Sequence, residues 1–241
     1  MKVCRLAAPS YVLGGDILQN CLFLKDYVSG VYLAFFQTMA CLNYSKQDLP
    51  LCLKDLGLRY HIHFPLDLSW ENPEQEAKIC VELWNKAALL SPWCGVLHPP
   101  ATLEALEIFI QTWVKLGRKA DEILLENIKD RNLRVFWPLV QKTGLNVCLD
   151  IGHLLAYDQE DILFLPGFWN RVKMLHVYGL EKDNKHYGLE FLGDRGWKIL
   201  KNALSKTESV EVVLELFDRK SFLSSYEFLK NRSLDWGVSF V

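Results

Sequence analysis

Short runs of apolar and β-branched residues alternate along the chain with longer stretches whose apolar positions recur at the helical period. This is the pattern of repeated βα units around a parallel sheet. Eight such runs predict strands at residues 3–8, 30–36, 59–64, 94–98, 122–126, 146–150, 173–177 and 210–216. Between them, residues 73–90 carry acidic side chains in a first turn that opens at Pro73, and residues 102–116 follow Pro99-Pro100 and stop at Gly117, as helices do. From His63 to Glu215 the five steps average about 30 residues, and eight units of that size fill the 241 residues as a single (β/α)8 TIM-barrel domain over 1–241. The competing fold, a doubly wound open sheet, calls for a glycine-rich phosphate turn after an early strand. Leu13-Gly14-Gly15-Asp16 is only a turn before a helix. The longest irregular stretch, 179–195, falls after the seventh strand, on the face where such barrels place their sites.

Composition narrows the picture. With 27 Lys+Arg against 29 Asp+Glu, the chain lacks the broad basic surface that nucleic-acid binding needs, so a nucleic-acid partner is not expected. Its seven cysteines are scattered and never paired as Cys-x-x-Cys, which points to buried thiols in a reducing cytoplasm. No apolar run reaches the roughly 20 residues of a membrane span.

The informative residues stand where strands end. The third strand closes on His61-Ile62-His63 and the fourth on His98. Glu126 ends the fifth, Asp150-Ile151-Gly152-His153 the sixth, His176 the seventh and Glu215 the eighth, with His186 in the loop between the last two. A lone strand histidine is more often packed core, and a lone strand-end glutamate is often a helix cap. Six consecutive strands ending this way are not explained so. Glu126 and Glu215 lie in strongly apolar runs where an unpaired carboxylate is costly to bury, and a cation offsets that cost. The imidazole and carboxylate mixture suits zinc, manganese, iron or cobalt, in one to three sites. His61 and His63 share a strand face; His63, nearer the mouth, is the expected ligand and His61 a supporting or packed residue.

The motifs His63-Phe64-Pro65, Leu97-His98-Pro99, Leu125-Glu126-Asn127, Asp150-Ile151-Gly152-His153, His176, His186 and Glu215 resemble the xylose-isomerase-like barrels. Within them they look most like the branch of the apurinic-site endonucleases of the endonuclease IV type. The resemblance implies that Glu126 bridges two metals, with Glu215 its counterpart across the cluster and both at the catalytic centre. It also implies that Asp150 with His176, and His153 with His186, form further ligand groups. Where that branch has an Asp two residues before the loop histidine, this chain has Asn184, with Asp183 one position earlier. Either Asp183 substitutes through a shifted loop, or the third ion is weak or absent.

Three functional classes remain open. A single-ion sugar or sugar-phosphate isomerase or epimerase needs only Glu126, Asp150, His176 and Glu215, though His176 is followed by Val177-Tyr178-Gly179 and not by the Lys-Asp common in such enzymes. A phosphodiesterase uses every ligand, and a DNA-repair endonuclease is its nucleic-acid version. A barrel that merely binds a metabolite or metal is the third. Tyr11, Phe35, Phe36, Trp70, Tyr178, Tyr187, Phe191 and Phe217 fall near strand ends, as a large ring-containing ligand would require. Tyr11, Trp70, Tyr178 and Asp183 are the expected substrate contacts. The stretches Ala8-Pro9-Ser10-Tyr11-Val12, His63 to Trp70 and His186-Tyr187-Gly188 resemble the cobamide-remodelling phosphodiesterases. That resemblance implies cleavage of the phosphoribosyl linkage of a corrinoid nucleotide loop; the partner is then a small molecule, a corrinoid or otherwise a sugar phosphate.

Overall fold

A computed structural model describes residues 1–183 and 185–241. Strands Lys2–Pro9 (β1), Gly30–Ala34 (β2), Arg59–His63 (β3), Gly95–Leu97 (β4), Ile123–Glu126 (β5), Asn146–Asp150 (β6), Val172–Val177 (β7) and Glu211–Leu214 run parallel, each bonded to the next. Leu180–Lys182 (β8) and Lys185–Tyr187 (β9) intervene before Glu211–Leu214, which is therefore β10. Arg5 to Ala7 of β1 pairs with Glu211 to Val213 of β10, closing an eight-stranded barrel. The lower end of β1 diverges to pair with Val238–Phe240 (β11), outside the ring.

The strands are shorter than the apolar runs suggested, and the differences fall at the mouth. Phe36, His98 and Glu215 each lie just past a strand end, where the chain turns outward. The stretch expected to be irregular instead contains the antiparallel hairpin β8–β9, pairing Leu180 with Tyr187 and Glu181 with His186.

Helices Ile17–Leu24 (α1), Thr38–Leu42 (α2), Pro73–Lys86 (α3), Leu103–Lys115 (α4), Leu133–Thr143 (α5), Ile151–Ala156 (α6), Phe168–Arg171 (α7), Gly193–Lys206 (α8) and Arg219–Leu234 (α9) follow or join the strands. Several begin as the sequence dictates. Asn72 accepts from Gln75 N at 3.2 Å with Pro73 in the first turn, and Thr102 accepts from Ala105 N at 3.2 Å. Strand alternation sorts the core into two. Tyr60 and Ile62 face the helices, while Ala7, Tyr32, Cys94, Val96, Leu124, Cys148, Met174 and Val213 fill the barrel. His61 is buried in that stem and meets Glu211 at 3.0 Å, below and apart from the mouth, so it is a packed residue paired with a carboxylate. Among the described residues no helix is long and apolar enough to cross a membrane.

Candidate metal centre

β5 delivers Glu126 to the centre of the mouth, 1% exposed. Its two carboxylate oxygens face different partners. Oε2 lies 3.2 Å from His63 Nε2 and 3.1 Å from His98 Nε2. Oε1 lies 3.0 Å from His176 Nδ1, which is also 3.4 Å from Glu215 Oε1. Ligand atoms of Glu126, Asp150, His176 and Glu215 all fall within 4.8 Å of one another, as do those of His63, Glu126 and His176.

Neighbours fix these side chains in place. Asp150 caps α6 by accepting from His153 N at 2.6 Å. Asn127 clamps the ends of β5 and β6 together, accepting from Asp150 N at 2.8 Å and donating to Asp150 O at 2.9 Å. Tyr32, inside the barrel, donates to Glu215 Oε1 at 3.1 Å. The Nδ1 atoms of His63, His153 and His186 lie 2.9, 3.0 and 2.8 Å from the backbone oxygens of Phe64, Asn127 and Glu215. A carbonyl only accepts, so each Nδ1 carries a proton and Nε2 is the atom each ring has left to offer a metal.

The electrostatics suit a cation. Three carboxylates share one dry cleft. Burial, reinforced by the charges of Glu126 and Glu215, pushes Asp150 up to about 8, although His153 draws it the other way. Burial also opposes ionisation of Glu215, yet His176 holds it down at about 2, and His176 with His98 holds Glu126 well below the carboxylate range. Asp150 Oδ2 and His176 Nε2 are buried with no partner. A divalent ion satisfies these groups together, so the residues fit the metal that their types suggest.

A third group lies outward. His153 Nε2 is 3.5 Å from Glu181 Oε2, which also accepts from Tyr157 Oη at 2.8 Å. Glu181 sits opposite His186 in the hairpin. Asp183 occupies the hairpin turn with φ of 53°, and Asn184 lies outside the described residues. The carboxylate facing the outer histidines is thus Glu181.

Above the cluster opens a cavity of about 700 Å³, walled by Tyr11, Phe36, Leu66 and Phe217, with Lys185 at its rim. Of the expected substrate contacts only Tyr11 lines it. Trp70 folds back onto Phe109 at 5.4 Å, because the chain after β3 turns down over α4. Tyr178 is buried and stacks on His186, rings 3.7 Å apart and 10° from parallel, so it supports that histidine from behind. Gly152 leaves room for this stack: a Cβ there would lie 2.2 Å from the Tyr178 ring. Gly152→Ala should therefore displace Tyr178 and His186, costing about 1–3 kcal/mol as an overpacked site does, read from the denaturant midpoint.

No protein-family model matches the chain, and no curated protein matches it. Solved structures do. A D-tagatose 3-epimerase-like protein superposes with a TM-score of 0.73 at 16% identity, covering 97% of this chain and 98% of that one. The probable 3-DHS dehydratase AsbF of Bacillus anthracis gives 0.72 at 14% identity over 96% and 100%. A xylose isomerase domain containing protein of Salmonella typhimurium gives 0.63 at 15% identity over 96% of both. The fold is that of the xylose-isomerase-like (β/α)8 barrels.

Proposed function

We propose that this barrel is a metal-dependent phosphodiesterase whose substrate is a compact diester of the corrinoid nucleotide-loop type. The observation that carries the reading is the division of Glu126: His63 and His98 gather on one oxygen and His176 on the other. A single ion held by Glu126, Asp150, His176 and Glu215 leaves His63 and His98 without employment. A carboxylate shared between two ions uses them all. Divalent ions bound here would lower the pKa of water and offset charge on the attacking and leaving oxygens of an in-line displacement. The chain's own contribution is orientation: Asn127 and Tyr32 hold Asp150 and Glu215, backbone carbonyls hold the imidazoles, and the apolar wall of Tyr11, Phe36 and Phe217 keeps bulk water from a ring-bearing ligand. The corrinoid assignment rests on the sequence resemblance together with the size and aromatic lining of the cavity.

In this reading the outer ligands are His153, His186 and Glu181, the last in place of the missing loop aspartate. Glu181→Gln should remove one tightly bound ion per chain and leave the others, as counted by plasma mass spectrometry after gel filtration.

A second reading, a single-ion sugar isomerase or epimerase, has its own support. The tetrad of Glu126, Asp150, His176 and Glu215 suffices for it, and one of the superposing structures is a D-tagatose 3-epimerase-like protein. The comparisons favour this reading over a diester substrate. One pair of assays separates the two. Protein loaded with zinc, manganese, iron or cobalt is incubated with a cobamide, with release of the lower-base riboside followed by mass spectrometry, and with ketohexoses, with interconversion followed by chromatography. Riboside release is the expected result; ketose interconversion without it would establish the second reading.

A further inference from the structure

A second cavity, of about 420 Å³, opens beside the first, between the loop after β1 and helix α2. Tyr11 and Phe36 line both cavities, so the chambers share a wall of two aromatic side chains. Phe36 is held edge-on against His63 and Phe217, at 5.4 and 5.8 Å, whereas Tyr11 is 56% exposed. Nothing that lines only the second chamber belongs to the ligand cluster.

The chambers differ in charge. Among the described residues Lys185 is the only Lys or Arg lining the first, beside the groups that would hold cations. Among the described residues the second is lined by no Lys or Arg and carries Asp16 and Asp48, both exposed. Each carboxylate fixes its own loop with one oxygen: Asp16 accepts from Gln19 N at 2.7 Å, and Asp48 from Ser45 N and Oγ, both at 2.8 Å. Tyr44, seated edge-on against Phe35 at 5.6 Å, adds an aromatic side chain to the lining. Carboxylates in a chamber lined by no Lys or Arg among the described residues disfavour an anion and accept N–H or O–H donors.

We infer that the substrate is a two-part molecule. Its anionic end reacts over the cluster, and its distal part, bearing amide, amine or hydroxyl donors and no negative charge, fills the chamber of Tyr44, Asp16 and Asp48. The reacting end rests on the phosphodiester reading; the distal end rests on the second chamber alone. Binding energy gathered there positions the reacting end, which a small sugar confined to the first chamber could not exploit.

The test uses manganese-loaded protein and a series of p-nitrophenyl alkyl phosphodiesters with a short tether ending in a primary amide, a long tether ending in the same amide, and a long tether ending in a carboxylate. Affinity is read by calorimetry and turnover by p-nitrophenolate release. The long amide should bind on the order of tenfold more tightly than the short one, and the long carboxylate should show no gain. Ala40→Phe, which fills the chamber from α2, should erase the gain with metal content and melting temperature unchanged; Asp48→Asn, which adds no bulk, should reduce it. Equal affinity across tether lengths, or a gain that survives Ala40→Phe, would overturn the inference. Tether-dependent binding without turnover of any member would instead remove the phosphodiester reading and leave the chamber standing.

Discussion

Glu126→Gln should yield a folded barrel with turnover lower by about 10²–10³-fold or more, the scale of losing one preorganised electrostatic group. The amide preserves the shape of the side chain but removes the charge shared between His63 and His98 on one oxygen and His176 on the other. Ion content should fall on both sides at once. Glu126→Asp should not restore it, because a side chain one methylene shorter cannot reach both sets of partners. His98→Ala is the informative companion. It takes a ligand from Oε2 and leaves Glu126, Asp150, His176 and Glu215 intact. A two-ion enzyme should lose most of its activity with one ion, whereas a one-ion isomerase should keep both ion and turnover. Circular dichroism and ion counting on the same samples separate lost chemistry from lost fold.

Removing metal should lower the melting temperature by an amount that grows with pH. At a free ion concentration about 1,000 times Kd the loaded form gains about 4 kcal/mol, or about 8–16 °C for a chain of this size. The pH dependence comes from the unloaded state. Buried Asp150 is pushed up to about 8 in the folded chain, against about 3.9 when unfolded. Between those values the folded chain keeps a proton that the unfolded chain has released, so unloaded stability falls as pH rises through that window. His176, raised well above its ordinary value by Cys148, Glu215 and Glu126 despite burial, acts in the same direction. His61 and His98, lowered by burial, act oppositely, but only below about pH 6.5, where unfolded histidines gain protons. His153, raised by Asp150, Glu126 and Glu215 despite burial, acts with Asp150 and His176, so the metal-dependent part of the slope between pH 7 and 8.5 belongs to these three; the buried cysteine thiols, pushed up by burial, add a slope that loaded and unloaded protein share. A bound cation would take the place of the protons on Asp150, His153 and His176, so the loaded protein should lose less stability than the unloaded protein over the same range. Melting curves with chelator and with saturating manganese, at pH 7 and 8.5, should diverge; parallel curves would mean that Asp150 and His176 do not meet the ion.

The parts of the centre that could be read from sequence share a cause. A parallel barrel strand is a short apolar run with a defined end; His63, Glu126 and Asp150 each close one, and His176 stands one residue before the end of another. Position in the run therefore gave position in space. The outer group was not legible in this way. Leu180-Glu181-Lys182 and Lys185-His186-Tyr187 are too short and too polar to signal a hairpin, and only their pairing turns Glu181 toward His153. Asp183, nearer His186 in sequence, is carried to the turn instead. Trp70 and Tyr178, expected as substrate contacts, lie away from the cavity lining for a related reason. Beyond a strand end the alternation rule lapses, and local packing on Phe109 or His186 decides where a large ring goes. The second chamber is assembled from loops of two adjacent units, and no periodicity in either reports it.

The backbone carbonyls that hold Nδ1 of His63, His153 and His186 belong to the barrel itself. These bonds are made by the polypeptide alone. Rings oriented in this way give up less freedom on binding an ion, which favours uptake. Which metal the proposed centre would take then depends on the surrounding supply, since imidazole and carboxylate ligands accept several ions.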